Sequence, residues 1–109
     1  NDVARLTDIE AVKRSVRNLI LTNEFERPFH PEIGSSIRGL LFETITPLNA
    51  VLLEDRIREV IVNFEPRAEL TGIQVFDEID NNQYRVIINF TVLGSSEGTT
   101  ITEFLQRLR

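Results

Sequence analysis

At 109 residues the chain is long enough for one domain with a single core, and it contains no Cys. Redox chemistry, thiolate metal sites and disulfide stapling are therefore excluded together. The net charge of −5 argues against nucleic acid as the main partner, and no apolar run approaches the roughly 20 residues that a membrane span needs.

The lack of Cys fits a reducing cytosol, and the start at Asn1 rather than Met predicts that the natural N-terminus has been lost. The cations are lopsided, eleven Arg against the single Lys13. Arg is the side chain suited to bidentate carboxylate pairing and to stacking at interfaces, although codon bias or surface solubility explains the same excess.

In chain order, Thr7-Asp8-Ile9-Glu10 reads as a capping box opening a helix. Ile9, Val12, Val16, Leu19 and Ile20 recur at helical spacing and define its apolar face. Lys13, Arg14 and Arg17 form a basic stripe on the other side, read as a solvated face. The pattern fades at Thr22-Asn23.

From Glu24 to Gly34 there is no period, and the segment holds Pro28 and Pro31. Proline fixes φ and disfavours helix in the residue before it, so defined irregular backbone is expected here. A short helix is expected from Ser35 or Ser36 to Phe42, with Ile37, Leu40 and Leu41 inward. Thr46-Pro47 is a strong helix start, an N-cap hydroxyl followed by Pro at the first helical position. Leu48, Val51, Leu52, Ile57, Val60, Ile61 and Phe64 place an apolar stripe along this helix, which should end at about Phe64, ahead of Pro66. Glu54 and Arg58 sit at i,i+4 on its wet side.

The period then changes. Ile73, Val75, Asp77 and Ile79 alternate with polar positions, and Asp80-Asn81-Asn82 signals a turn. Tyr84, Val86, Ile88, Phe90 and Val92 line one face of a long second strand, followed by the flexible connector from Gly94 to Gly98. Thr99 to Leu108 fits either a helix or a strand, and strand is the reading adopted. The order predicts one α+β domain over residues 1–109, with N-terminal helices packed on a small antiparallel meander. Such a sheet has two edges whose unpaired backbone groups must be managed.

Little in the chain resembles an enzyme centre. His30 is the only histidine, lies between Phe29 and Pro31, and has no nucleophile turn to serve. There is no H-E-x-x-H, no Gly-rich phosphate loop and no EF-hand spacing, so neither metal nor cofactor is expected. Asp77, Glu78 and Asp80 cluster beside a turn, where solvation explains them.

Glu26-Arg27-Pro28-Phe29-His30-Pro31-Glu32-Ile33-Gly34, then Leu41-Phe42-Glu43 with Thr46-Pro47-Leu48, then Phe64-Glu65-Pro66-Arg67 form an ordered set. From about Asp8 to Val92 the chain resembles the baseplate wedge proteins of contractile phage tails, a family shared with a baseplate component of type VI secretion systems. The resemblance implies a structural protein of the virion tail baseplate, assembled in the host cytoplasm. Its partners would be larger wedge subunits and the tail sheath protein, with tail tube or hub proteins further candidates.

Wedge contacts are expected at Arg27, Pro28, Phe29, Pro31, Gly34, Glu65, Pro66 and Arg67, with Phe29 packing inward and Arg27 reaching outward. The resemblance also implies a sheet like the sheath's interlocking domain, where Ile101, Glu103, Leu105 and Arg107 are the docking candidates. Glu103, Arg107 and Arg109 would keep that edge soluble. Some members of the family carry a lysozyme label. The alternative is then a peptidoglycan-cleaving enzyme, for which Glu43 and Glu65 are the least implausible acid and base.

Overall fold

The structure, a computed structural model, describes residues 2–21 and 37–108, with side chains from Asp8 onward in the first of these segments. Helix α1 spans Asp2–Leu21, residues 37–41 form a short helical stretch, and α2 spans Pro47–Phe64. Strands β1 (Ala68–Glu78), β2 (Gln83–Val92) and β3 (Gly98–Gln106) follow, with a 3-10 turn at Ile79–Asn81. The sheet is an antiparallel meander in the order β1-β2-β3, and the α+β reading holds.

Helix α1 begins earlier than the capping signal at Thr7 predicts, because nothing from Asp2 to Leu6 breaks a helix and the cap is overridden. Its inner side carries Val12, Val16, Leu19 and Ile20 fully buried, with Ile9 partly covered. Helix α2 starts as its sequence demands: Thr46 is extended and its Oγ1 accepts from the Asn49 amide at 3.0 Å, with Pro47 at the first position.

Its buried face is Ala50, Leu53, Ile57, Val60 and Ile61. This corrects the predicted stripe, since Leu48, Val51 and Leu52 are exposed. Two apolar series run along α2, and a stripe drawn through both mixes its inner and outer faces.

Strand β1 starts at Ala68, five residues before the alternation from Ile73 is visible. The cause is a register shift between Leu70 and Gly72 that leaves Thr71 extra in β1. A bulge of this kind reverses the alternation, so Leu70 and Ile73, three apart, both turn toward the core. At the other end Ile79 leaves the strand and stands exposed in the turn, which Asn82 closes with φ 54. Asn tolerates that left-handed conformation better than most residues.

Tyr84, Val86, Ile88, Phe90 and Val92 are buried as read, and β3 is a strand with Ile101 and Leu105 inward. The helices cover this face, α2 lying against β1 and α1, so the core is one cluster between a helical layer and the sheet. Each fully buried aliphatic or aromatic side chain contributes about 1.5–3 kcal/mol relative to exposure. Below the core, Leu108 donates its amide to the Leu41 carbonyl at 2.7 Å and ties the chain end to the 37–41 stretch.

Phe104 instead faces outward on the uncovered side of the sheet. There Arg85 pairs across to both Phe76 and Phe104, and its guanidinium lies 4.7 Å from the Phe76 ring.

Candidate functional site

Helix α2 ends because Pro66 cannot continue it. Glu65 still closes the last helical turn, its amide donating to the Ile61 carbonyl at 2.9 Å. The Glu65 carbonyl then accepts from the Ala68 amide at 3.2 Å. Glu65-Pro66-Arg67-Ala68 is thus a tight turn with Pro in the second position, where its fixed φ is preferred. The Arg67 carbonyl accepts from the Leu93 amide at 2.9 Å, fastening the turn to the far end of β2.

The side chains lock this turn. Glu65 is 3% exposed, the one charged residue buried among the described residues. Its Oε2 accepts from the Arg67 amide at 3.3 Å and from Arg67 Nε at 3.1 Å, and Oε1 accepts from Arg67 Nη2 at 3.0 Å. The Ser15 hydroxyl of α1 donates a further hydrogen bond. The Arg67 hydrogen bonds hold the Glu65 carboxyl below the usual carboxylate range; burial opposes them and does not prevail.

Arg67 itself is 53% exposed at its side chain, and Asp8 of α1 adds to its electrostatic surroundings. The result is a guanidinium clamped in one orientation on one side and open to solvent on the other. Ser15 and Asp8 were not legible from the sequence. They lie seven residues apart on one face of α1, but nothing local ties them to a turn fifty residues away.

Arg67 therefore pairs within the domain as well as facing outward, so its removal acts on the turn itself. Arg27, Pro28, Phe29, Pro31 and Gly34, with the roles expected of Phe29 and Arg27, lie outside the described residues.

Of the four C-terminal candidates, Ile101, Glu103 and Leu105 lie on β3 and Arg107 directly follows it; no described strand pairs with the outer edge of β3. Ile101 and Leu105 belong to the core and anchor the edge strand from its inner side. Glu103 accepts from Arg17 Nε of α1 at 2.8 Å, which makes Arg17 part of a helix-to-sheet tie and not a member of a purely solvated stripe. The Arg107 amide donates to the Asn82 carbonyl at 3.0 Å. What β3 leaves for a partner is its backbone edge and the outward Thr100, Thr102, Phe104 and Gln106.

Among the described residues no group of three or more His, Asp or Glu side chains is arranged to hold a metal, and no helix is long and apolar enough to cross a membrane. Glu43 is exposed in the turn after the 37–41 stretch, and Glu65 is engaged as an ionised acceptor. A glycosidase general acid needs the opposite, a carboxyl held protonated by its environment.

The small helix-on-meander domain thus presents a braced turn and a strand edge that no described strand pairs. The family described as baseplate wedge protein gp25 matches residues 7–97, and this chain belongs to it. It is 33% identical over 96 residues to the baseplate wedge protein gp25 of Enterobacteria phage T4, covering 88% of this chain and 73% of that protein. A crystal structure from Geobacter sulfurreducens, named a putative tail lysozyme, shares the fold with a TM-score of 0.79. That chain is 22% identical, and the alignment covers 92% of this chain and 91% of that one. Family membership gives the protein a structural role in a baseplate.

Proposed function

We propose that the protein is a non-enzymatic wedge component of a contractile phage tail or related injection system. It docks to larger wedge subunits through the Glu65–Pro66–Arg67 turn and helps to start sheath assembly at the outer edge of β3. The observation that carries this reading is the clamped, half-exposed Arg67. Its guanidinium is held by a buried carboxylate, so the ordering cost of a binding cation is met before any partner arrives. An acidic side chain or the exposed carbonyls of a helix end fit that donor set. Arg27 to Gly34 remain candidates for the same contact on the sequence reading alone. At β3, an extended arm would add a strand through main-chain hydrogen bonds.

The lysozyme alternative rests on a label, since Glu65 is committed to Arg67 and Ser15. Coexpression with candidate wedge and sheath proteins of a contractile tail tests the proposal. Arg67→Lys keeps the charge beside Glu65 but not the fork, and is expected to fold and fail to co-purify with wedge subunits. Wild-type recovery would overturn the docking role.

At the edge, Thr99→Pro and Thr100→Pro remove adjacent amides, one facing β2 and one facing outward. The variant that still folds is expected to halt sheath growth, and full-length sheath on it would rule out edge docking. Peptidoglycan clearing by pure protein, lost in Glu43→Gln or Glu65→Gln, would instead establish the enzyme.

A further inference from the structure

Helix α1 is fastened to the domain in two different ways. Val12, Val16, Leu19 and Ile20 sink into the core. Polar ties then hold its flanks. The Ser15 hydroxyl donates to the Glu65 carboxylate of the turn after α2, and Arg17 Nε donates to Glu103 Oε1 of β3 at 2.8 Å. Asp8 adds its charge beside Arg67, at the same turn as the Ser15 tie.

The two ties lie on opposite sides of the apolar stripe. At about 100° per residue, the four buried side chains fall within an arc of about 100°. Asp8 and Ser15 stand just beyond one margin of that arc, and Arg17 stands beyond the other. An aliphatic stripe sets how deep a helix lies, but hydrophobic contact has no direction of its own and resists a roll about the helix axis only weakly. The ties supply that restraint. At a side-chain radius of about 5 Å, a roll of about 10° moves a flank by about 1 Å, enough to carry a hydrogen bond out of range.

Both ties are formed at one and the same roll. Each therefore holds α1 where the other needs it, and meets part of the other's ordering entropy in advance. Glu103 lies between the buried Ile101 and Leu105, so the second tie bears on the middle of β3.

We propose that α1 is a rocker that couples the Glu65–Arg67 turn to the edge strand β3. Fixing the turn firms β3, and loosening either tie loosens both. A partner seated on Arg67 then makes β3 a better ordered template for an incoming strand, so occupation of the turn regulates the edge. This regulatory step rests on the docking reading above, whereas the coupling belongs to the isolated domain.

Amide hydrogen exchange followed by NMR on the purified chain tests it. Ser15→Ala removes the tie at the turn, and Arg17→Gln removes the tie at β3. Arg14→Gln is the control, an exposed position on the side of α1 away from the core. Protection is read at the β3 amides that donate to β2, and at Ala68 and Leu93, whose amides close and fasten the turn. Each is taken relative to the β1–β2 ladder, so that a global loss of stability cancels.

Ser15→Ala is expected to lower β3 protection at least about threefold, and Arg17→Gln to lower Ala68 and Leu93 to a similar extent, because coupling is reciprocal. The double variant should lose less than the product of the single effects, and Arg14→Gln should move neither region. If Arg17→Gln does not fold, Glu103→Gln removes the same pair from the strand side with the same expectation.

Losses confined to the tie removed, a double variant showing the full product, or an equal effect of Arg14→Gln would overturn the coupling. In complex with a wedge subunit, β3 protection should rise in the wild type and not in Ser15→Ala. An unchanged β3 in the wild-type complex would overturn the regulatory step. Co-purification of Arg67→Lys bears on docking alone, so the two readings fail separately.

Discussion

Replacing Glu65 by Gln removes one negative charge from the buried side of the turn while keeping its shape. The carboxylate accepts three hydrogen bonds from Arg67 and one from Ser15. Gln retains a single acceptor oxygen, and its amide N–H groups face the donors of Arg67. Hydrogen bonds to a charged group contribute about 1.5–3 kcal/mol each in favourable cases, but Arg67 is half exposed and regains water when released. The discounted loss for Glu65→Gln is about 1–3 kcal/mol.

This loss depends on pH. The folded-state pKa of Glu65 lies below its ordinary value of 4.5, so its contribution is fully present above about that pH. It is lost as the pH falls through the lower folded-state value. Urea unfolding of both proteins at several pH values between 7 and 3 reads the gap directly, with unchanged m-values as the control. The gap should be constant above the unfolded-state pKa and close in acid. A gap of the same size at pH 3 would mean that packing, not charge, is what Glu65 supplies, and no gap at pH 7 would refute the brace.

Arg67→Ala should have the reverse slope. It leaves the carboxylate buried with Ser15 alone, so the folded-state pKa rises, and the variant gains stability as the pH falls toward the unfolded value.

Three further outcomes follow from the packing. Tyr84 is fully buried, and its hydroxyl has no hydrogen-bond partner among the described residues. Tyr84→Phe should therefore be neutral or stabilising by up to about 2 kcal/mol in urea unfolding, and a loss above about 1 kcal/mol would reveal a hidden partner. Leu53→Ala should cost about 2–5 kcal/mol and its exposed neighbour Leu52→Ala about 0.5 kcal/mol or less, so thermal melts of the pair check which face of α2 is inside. Thr46→Ala should lose about 0.5–2 kcal/mol through the missing cap on Asn49, with Thr46→Ser recovering most of it in the same assay.

Where the sequence was a reliable guide, one local force acted alone. Thr46-Pro47 fixed the start of α2, Pro66 its end, and the Tyr84 to Val92 alternation gave β2 its buried face. It misled where two signals overlapped. Leu48, Val51 and Leu52 lie at helical spacing with one another on the face opposite the core series, and only the sheet decides which series is covered. The bulge at Thr71 reversed the alternation in β1, and an inserted residue has no signature in a strand that also contains Gly72.

The site was half legible. Glu65, Pro66 and Arg67 stood out because Pro stiffens a charged pair, yet the sequence could not tell an outward Arg67 from one folded onto Glu65. Ser15 and Asp8 come from α1 by tertiary packing and carry no local mark.

One helical layer over three strands settles what such a domain leaves open. No described element covers the second face of the sheet, which carries Phe76, Phe104 and Arg85 in a single cross-strand row. Arg85 lies over Phe76 and reaches Glu78 only at 3.4 Å, and its Nε is buried without a hydrogen-bond partner among the described residues. A solvated sheet face is more commonly built from threonine and charged side chains. The row, the β3 edge that no described strand pairs, and the exposed Leu48, Val51 and Leu52 of α2 lie apart on one core. The Glu65–Arg67 brace fixes the turn after α2 to the start of β1 on that core.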